Sequence, residues 1–358
     1  MAAAAKMLVS DIVSGGISAV PANYVRPISD RPNLQVVHDD STIPLIDLLP
    51  LISTFPDDRD RRRQVIRDIA HACHNYGFFQ VKNHGIPETV IDNMLTVARE
   101  FFKMPEKERM KCYSEDPLKA MRLSTSFNVK TEKVSNWRDF LRLHCYPLED
   151  YIHEWPSNPP TFREVAAEYS RRVRELAVRL LEGISESLGL EREYIVRAMG
   201  GQGQHMALNY YPPCPQPELT YGLPAHADPN AVTVLLQDQV PGLQLLKNGR
   251  WIAVHSIPNT FIVNIGDQIQ VISNDRYKSA LHRAVVNCSQ ERISIPTFYC
   301  PSPDAIIGPA PPLTDGEDHP PAYRSFKYDE YYRKFWNRGL EVETCLDKFR
   351  AIAPPPPT

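Results

Sequence analysis

The hydrophobic positions of the chain follow two different periods, one before residue 205 and another after it. In the first part, apolar residues recur every three or four positions, which is typical of amphipathic helices. Helices are predicted on this basis at 57–75, 88–104 and 161–190. Short strands are predicted at 43–48, 77–85 and 137–147, and the polar segment 114–136 is predicted to be a loop. The first part is therefore expected to be rich in helix.

After residue 205, apolar and polar residues alternate in short runs, which is the pattern of half-buried strands. These runs begin at Met206, Ala231, Gly242, Asn259, Ala280 and Arg292. The pair Asn248-Gly249 separates two halves of one run and predicts a tight hairpin turn, because both residue types tolerate a positive φ. Many short strands without helices between them predict an antiparallel sandwich or barrel. The C-terminal stretch 328–351 returns to a helical pattern.

Composition and charge exclude several classes of function. The chain has 358 residues, of which 42% are hydrophobic and 23% charged, and its formal net charge is -3. This balance gives no basic surface for nucleic acid or for an anionic membrane. No apolar run is long enough to span a bilayer. We therefore expect no nucleic-acid partner, no membrane association and a monomeric protein.

The cysteines and the N-terminal residues indicate the cellular compartment in which the protein is expected. The chain has seven cysteines, an odd number, scattered along the sequence without a C-x-x-C pair. This usage predicts reduced thiols and argues against a disulfide framework or a thiolate zinc site. The Ala-rich N-terminus has no arginine before Arg26 and is not typical of a transit peptide. The expected location is the cytoplasm, with the nucleus as an alternative.

A histidine and an aspartate lie one residue apart at the start of an apolar run, in the segment LPAHADPNAVTVLLQ. In a strand, His226 and Asp228 project to the same side. A third candidate, His282, follows after an interval of 53 residues (229–281). Two histidines and one carboxylate, without a thiolate, suit a non-haem Fe(II) site. The same residue types also suit catalytic zinc, so a zinc hydrolase stays open, as does a buried network of paired charges.

A second group of polar residues lies on two other predicted strands. Arg292 and Ser294 share one face of the strand RISIPTF. The guanidinium offers a rigid fork to a carboxylate, and the hydroxyl adds a further hydrogen bond. Asn209 and Tyr211 share a face of the strand MALNYYP. A dicarboxylate that chelates a metal at one end needs such a grip at the other.

Three segments carry a family resemblance: NYYPPCPQPELTYGLPAHADPNAVTVLLQD, NIGDQIQVISNDRYKSALHRAVVN and RISIPTF. They resemble the plant 2-oxoglutarate- and Fe(II)-dependent dioxygenases, and IPLIDL with GFFQVKNHGIP resembles the family's companion region. The resemblance covers roughly residues 40–350. It implies an α+β fold with a double-stranded β-helix (jelly-roll) core flanked by N-terminal and C-terminal helices. It also implies Fe(II), 2-oxoglutarate and O2 as cofactor and cosubstrates, with ascorbate as reductant.

The resemblance assigns roles to the residues singled out above. His226, Asp228 and His282 become metal ligands and the catalytic centre. Arg292 and Ser294 hold the far carboxylate of 2-oxoglutarate, with Tyr211 assisting and Asn209 near the iron. The family usually has Thr inside H-x-D, where this chain has Ala227. That residue is expected to face away from the metal. The implied division is a loosely ordered arm at 1–40, a helix-rich region at 41–200, the jelly-roll core at 201–301, and a helical cover with a Pro-rich tail at 302–358.

A narrower resemblance concerns the substrate. The segments NYVRPISDRPNL, RLSTSFNV, NWRDFLRLHCYP and EWPSNPP resemble the downy-mildew-resistance type of oxygenase. That clade includes salicylate hydroxylases and proteins assigned as flavanone 3-dioxygenases or flavone synthases. We therefore expect ring hydroxylation of salicylate or 3-hydroxylation of a flavanone such as naringenin. The predicted pocket residues are Leu123, Phe127 and Phe298, with Arg122 or Lys130 meeting a salicylate carboxylate.

One alternative of another class remains, which is a non-catalytic small-molecule-binding protein on the same fold. A receptor has no need of metal ligands, so the complete triad favours the enzyme. The other histidines, His205 included, are expected to be structural.

Overall fold

The computed structural model describes residues 7–32, 34, 43–53, 59–126, 132–314, 318–338 and 345–351. Its strands are β1 (Leu45–Asp47), β2 (Phe78–Lys82), β3 (Met121–Ser124), β4 (Asp139–Tyr146), β5 (Gly203–Tyr211), β6 (Leu223–His226), β7 (Val232–Gln237), β8 (Leu243–Lys247), β9 (Arg250–Ala253), β10 (Phe261–Ile265), β11 (His282–Ala284), β12 (Arg292–Cys300), β13 (Ile306–Ile307) and β14 (Phe326–Lys327). Its helices are α1 (Val9–Ser14), α2 (Leu49–Ile52), α3 (Arg59–Asn75), α4 (Glu88–Lys103), α5 (Glu106–Arg109), α6 (Leu148–Tyr151), α7 (Phe162–Ser187), α8 (Tyr194–Ala198), α9 (Asp267–Ile272) and α10 (Tyr328–Arg338).

Two sheets form the core. The major sheet has eight strands in the order β1-β2-β10-β7-β12-β5-β4-β3, and the minor sheet has four in the order β6-β11-β8-β9. Pairing is antiparallel except between β1 and β2. Apolar residues of the two sheets share one buried cluster, with Leu235 and Ile262 from the major sheet and Leu245 and Ile252 from the minor sheet. The predicted double-stranded β-helix with flanking helices is confirmed.

The alternation within the major sheet decides which side chains reach the interior between the sheets. On β7, Val234 and Leu236 join the same buried cluster as Leu176 and Leu180 of the long helix α7. Thr233 and Leu235, one residue out of phase, line a cavity on the opposite face. One face of the sheet is thus covered by helices, and the other is free to carry polar chemistry.

Most predicted elements are present, but some local expectations were wrong or incomplete. The segment 114–136 contains the strand β3, which pairs with β4 at the edge of the major sheet. The short helices α1, α2, α5, α6, α8 and α9 were not predicted. The hairpin between β8 and β9 is confirmed, since Asn248 and Gly249 have φ values of 50° and 74°, as a primed turn requires.

The N-terminal residues 7–32, expected to be loosely ordered, pack against β4 instead. Leu8 and Val9 are fully buried. The carboxylate of Asp139 accepts hydrogen bonds from the backbone N–H groups of Val9, at 2.7 Å, and Ser10, at 2.9 Å. Arg109 binds Ser10 Oγ and the Asp11 carboxylate. The carboxylate of Asp139 therefore caps the start of α1. Burial raises the pKa of Asp139 to about 6.

We expect Asp139→Ala to lower the free energy of unfolding by about 2–4 kcal/mol. The reason is that two backbone donors at the start of α1 lose their acceptor on folding. Chemical denaturation of the two proteins measures the difference. Asp139→Asn keeps one amide oxygen as an acceptor and should lose about half as much. A loss below about 0.5 kcal/mol for the alanine variant would contradict the anchoring role of this carboxylate.

No helix in the described part of the chain is both long and apolar enough to cross a membrane.

Candidate active site

Three predicted ligands meet at one end of the minor sheet. His226 is the last residue of β6, and its Cα pairs with that of His282, the first residue of β11. The distances from Asp228 Oδ1 to the Nε2 atoms of His226 and His282 are 3.6 Å and 3.7 Å. One ligand atom from each residue lies within 4.8 Å of the others. The expected convergence is present, although Asp228 lies two residues beyond the end of β6 rather than on the strand.

Neighbouring groups hold each of the three side chains in a defined orientation. The Nδ1 atoms of His226 and His282 lie 2.9 Å and 3.1 Å from the carbonyl oxygens of Pro224 and Ala280. Each Nδ1 therefore carries the proton and donates it, which leaves each Nε2 with a lone pair. This arrangement directs two lone pairs toward the carboxylate of Asp228.

The carboxylate itself is oriented by two donors on the major sheet. Thr233 Oγ1 and Asn264 Nδ2 donate hydrogen bonds to Asp228 Oδ2, at 2.5 Å and 2.7 Å. Oδ1 is left facing the two imidazoles. Asn264 lies on β10 and Thr233 on β7, so two adjacent strands fix the carboxylate plane.

The electrostatics match this geometry. Burial, reinforced by the neighbouring His282, lowers the pKa of His226 to about 3, so the ring is neutral at physiological pH. Burial opposes ionisation of Asp228, but the two imidazoles and the hydrogen bonds from Thr233 and Asn264 outweigh it and lower its pKa. Two imidazoles and one carboxylate, with no thiolate, form the donor set that divalent iron accepts. The residues present therefore fit the metal.

A cationic group lies in the same cavity on β12. Arg292 is 2% exposed. Its Nη2 donates to Gln237 Oε1 at 2.6 Å, and its Nε donates to the Val240 carbonyl at 3.2 Å. Nη1 has no hydrogen-bond partner within the described residues. Ser294 lines the cavity on the same strand face. A buried guanidinium with an unused donor fits an anionic ligand such as the distal carboxylate of 2-oxoglutarate.

The space beside Arg292 depends on a glycine. A Cβ atom built on Gly242 would lie 2.8 Å from Arg292 Cδ and 2.9 Å from Nε. Any larger residue there would displace the guanidinium. On the other side, the guanidinium carbon lies 5.1 Å from the centre of the Tyr211 ring, which fixes its second face.

Two family models match the chain. Residues 202–301 match the model described as the 2OG-Fe(II) oxygenase superfamily. Residues 43–160 match the model for the non-haem dioxygenase in morphine synthesis N-terminal region. Protein DMR6-LIKE OXYGENASE 1 of Arabidopsis thaliana is 61% identical over 350 residues, which cover 98% of each chain. This chain belongs to the 2-oxoglutarate- and Fe(II)-dependent oxygenases.

Further comparisons place this oxygenase among its relatives. Protein DOWNY MILDEW RESISTANCE 6 of Arabidopsis thaliana is 54% identical, with 96% of this chain and 99% of the relative covered. Flavanone 3-dioxygenase 2 of Oryza sativa subsp. japonica is also 54% identical, with 92% and 94% covered. A crystal structure of JOX2 in complex with 2OG, Fe and JA superposes with a TM-score of 0.87 at 35% identity, with 98% and 99% covered.

The oxygenase is therefore an enzyme of the downy-mildew-resistance type that uses Fe(II), 2-oxoglutarate and O2. Membership of this family sets aside a zinc hydrolase and a non-catalytic binding protein as interpretations of the sequence.

The cavity of the oxygenase has a volume of about 130 Å³ and is lined from both sheets and from α10. Of the residues predicted from sequence, His226, Asp228, His282, Arg292, Ser294, Tyr211, Asn209 and Phe298 line it. Ala227, beside the metal ligands, is not among the lining residues, as expected. The predicted iron and 2-oxoglutarate residues therefore share one space.

The predictions for Arg122 and Leu123 as pocket residues were wrong. Neither lines the cavity. Arg122 is fully buried, and its guanidinium donates to the carbonyls of Ser114 and Ser126 and to Ser124 Oγ. It holds the backbone around β3 in place instead of facing a substrate. The other two predicted pocket residues, Phe127 and Lys130, lie outside the described residues.

Several lining residues were missed by the sequence analysis. They are Phe140 and Arg142 from β4, Arg138 immediately before it, His205 from β5, and Tyr332, Phe335 and Trp336 from α10. The alternation of the segment WRDFLRLHCYP predicted the strand but not which face meets the cavity. His205, expected to be structural, stacks on Phe298 with ring centroids 4.8 Å apart.

Proposed function

We propose that this oxygenase hydroxylates a small plant phenolic, with His226, Asp228 and His282 holding the iron. The observation that supports this most is the pairing of two binding features in one cavity. The three ligand atoms converge at one place, and Arg292 presents an unused donor at another. A metal chelator with a second carboxylate joins the two features.

In this proposal, each side chain of the second group has a defined task. Arg292 and Ser294 bind the distal carboxylate of 2-oxoglutarate, and the ring of Tyr211 keeps the guanidinium in position. Asn209 lies on β5, between β12 and β4, and its Nδ2 is 3.4 Å from Ser294 Oγ. Its Oδ1 accepts a hydrogen bond from Arg138 at 3.0 Å. Asn209 therefore stiffens the wall near the iron.

Iron, 2-oxoglutarate and O2 together supply an oxidant that adds one oxygen atom to the substrate, with succinate and CO2 as the other products. The protein's part is to bind and to exclude water. Phe140, Phe298 and Trp336 provide apolar walls at the cavity. A dry wall of this kind protects a reactive centre from side reactions with solvent.

Two substrates are candidates. We place salicylate first, because Arg138 and Arg142 line the cavity whereas Asp228 is the only acidic residue among the described lining residues. That balance favours an anionic substrate. A flavanone such as naringenin is the second candidate, because the rice relative named flavanone 3-dioxygenase 2 is 54% identical to this chain.

A competition experiment tests the proposal. The enzyme, loaded with Fe(II), 2-oxoglutarate and ascorbate, is incubated with equimolar salicylate and naringenin, and products are identified by mass spectrometry. The expected result is a dihydroxybenzoate as the main product, formed with one equivalent of succinate. No reaction should occur without O2. Dihydroflavonol as the main product would reverse the order of the candidates, and no succinate with any phenolic would refute the proposal.

We also propose that the enzyme acts as a monomer in the cytoplasm or the nucleus. The support for a reducing compartment is that all seven cysteines are unpaired and six of them are buried. The monomeric state stays a prediction.

A further inference from the structure

We propose that Arg142 determines substrate specificity by receiving a carboxylate of the phenolic substrate at the end of the cavity away from Arg292. This inference rests on the proposed function, because it concerns the second substrate of the same site. It assigns the substrate class to aromatic acids, and it gives one residue the task of selecting them.

The register of three neighbouring strands sets the two ends of the cavity. On β12 and β5, Arg292 pairs with Tyr211. Arg138, which immediately precedes β4, lies beside Tyr211 on the other side, because the next residue along pairs with Tyr210. We call these three residues the anchor row. It contains Arg292, the proposed site of the 2-oxoglutarate carboxylate.

Four residues further along, the same face carries a second row. Arg142 on β4 pairs with Ala207 on β5, and Pro296 on β12 follows Ser294 on the same face. We call Arg142, Ala207 and Pro296 the far row. At about 3.4 Å per residue, the two rows are about 14 Å apart along the sheet. A five-carbon dicarboxylate bound at Arg292 ends short of the far row, which leaves that row to the second substrate.

Arg142 is a buried cation with an unused hydrogen-bond donor, which suits an anionic ligand. Its side chain is 6% exposed. Its Nη2 donates to the carbonyls of Pro117, at 2.6 Å, and Lys119, at 2.8 Å. Its Nε has no hydrogen-bond partner within the described residues. No ion pair links it to a described carboxylate, although Asp116 is near enough to act on its charge. A buried guanidinium without a counter-ion is costly, and a ligand carboxylate would relieve that cost.

Burial lowers the pKa of Arg142, and Asp116, a carboxylate that forms no ion pair with it among the described residues, offsets only part of that effect. Burial, followed by the repulsion from Arg142, lowers the pKa of His144 to about 4, so that ring is neutral at pH 7. The pKa of His205 is lowered for similar reasons, with burial first. Arg122, which pairs with Arg142 on the neighbouring strand β3, is a second cation. The positive charge of Arg142 at the far row is therefore compensated only in part, by Asp116, which does not pair with it directly.

The far row also has the shape for an aromatic ring. Ala207, opposite Arg142, has only a methyl group, which leaves space above the sheet. The guanidinium carbon of Arg142 lies 5.8 Å from the centre of the Trp336 ring on α10. The rings of Phe298 and His205 stack on each other and line the same cavity. A benzene ring bound between these walls would present an attached carboxylate to Nε of Arg142.

A binding cycle tests this inference without relying on turnover. Salicylate is compared with 2-hydroxybenzyl alcohol, which has nearly the same shape but no charge. Both are titrated calorimetrically, without O2, into the full-length enzyme loaded with Fe(II) and 2-oxoglutarate. We expect wild type to bind salicylate ten- to a hundredfold more tightly than the alcohol, as a charge-assisted hydrogen bond implies.

In Arg142→Gln, this preference is expected to fall to within about threefold, while the dissociation constant of the alcohol changes little. The matched variant Arg138→Gln removes a cavity arginine of the anchor row and should keep most of the preference. An unchanged preference in Arg142→Gln, or a larger loss in Arg138→Gln, would overturn the assignment.

Two further outcomes separate this inference from the proposed function. If wild type binds neither ligand and forms no succinate with any phenolic, the proposed function fails first. If Arg142→Gln does not fold, because the Pro117 and Lys119 carbonyls lose their donor, Arg142→Lys decides. Its ammonium keeps the charge but lacks the Nε–H donor, so the preference should fall at least threefold, and an unchanged preference refutes the role of Arg142.

Discussion

Replacing Asp228 with asparagine is expected to weaken iron binding more than a hundredfold and to reduce product formation below about 1% of wild type. The reason lies in the hydrogen bonds that orient the side chain. Thr233 and Asn264 both donate to Oδ2. An amide at this position places its oxygen before those two donors and turns its NH2 group toward His226 and His282. A donor then stands where the metal needs a lone pair.

The measurement combines Fe(II) titration under anaerobic conditions with succinate formation. The matched control is Thr233→Val, which keeps the shape and leaves Asp228 as a ligand while removing one donor to Oδ2. Its iron affinity should fall between ten- and a hundredfold, the usual effect of a group that orients a metal ligand. Circular dichroism should show both variants folded. Iron binding by Asp228→Asn with wild-type affinity would refute the assignment of this triad.

Replacing Arg292 with glutamine is expected to raise the KM for 2-oxoglutarate by roughly a hundredfold, the order expected when a buried charged partner of a carboxylate is removed. The guanidinium is nearly fully buried and offers Nη1 to the ligand. Glutamine is shorter and uncharged, so the distal carboxylate loses both the charge and the fork. At saturating 2-oxoglutarate, the KM for the phenolic should change by less than about threefold, because the other substrate binds elsewhere.

Gly242→Ala supplies an independent test of the same group. The added methyl would lie within 3 Å of the Arg292 side chain and push it aside without removing its charge. The KM for 2-oxoglutarate should rise in this variant too, by a smaller factor than in Arg292→Gln. Calorimetric titration with 2-oxoglutarate checks that the effect is on binding. An unchanged KM in Arg292→Gln would show that the cosubstrate is held by another residue.

The three metal ligands could be predicted from the sequence because two of them lie close together in it. His226 and Asp228 are near neighbours, and the strand containing His282 has clear alternation, so spacing and periodicity together indicated convergence. The orientation of Asp228 was not predictable in the same way. It depends on Asn264, which is remote in sequence and belongs to a strand of the other sheet. No local pattern marks such a partner.

The far row was missed for a different reason. The segment WRDFLRLHCYP has large or charged residues on both faces of the predicted strand. Arg142 faces the cavity, whereas Leu141 and Leu143 join the main hydrophobic cluster on the opposite face. Only the pairing of β4 with β5 decides which face of β4 meets the cavity and which meets the hydrophobic cluster. The strand β3 was missed because it is four residues long and contains a buried arginine.

The capping of α1 by Asp139 has a practical consequence for anyone who purifies this enzyme. Val9 and Ser10 form the start of α1, and their backbone N–H groups are the donors to Asp139. Loss of those residues would leave the buried Asp139 carboxylate without its two backbone donors, on the outer face of the strand whose inner face carries Arg142. Kinetic constants would then shift although no ligand-contacting residue had changed. Chimeras that exchange the α1 segment between relatives would exchange part of the support of β4 as well.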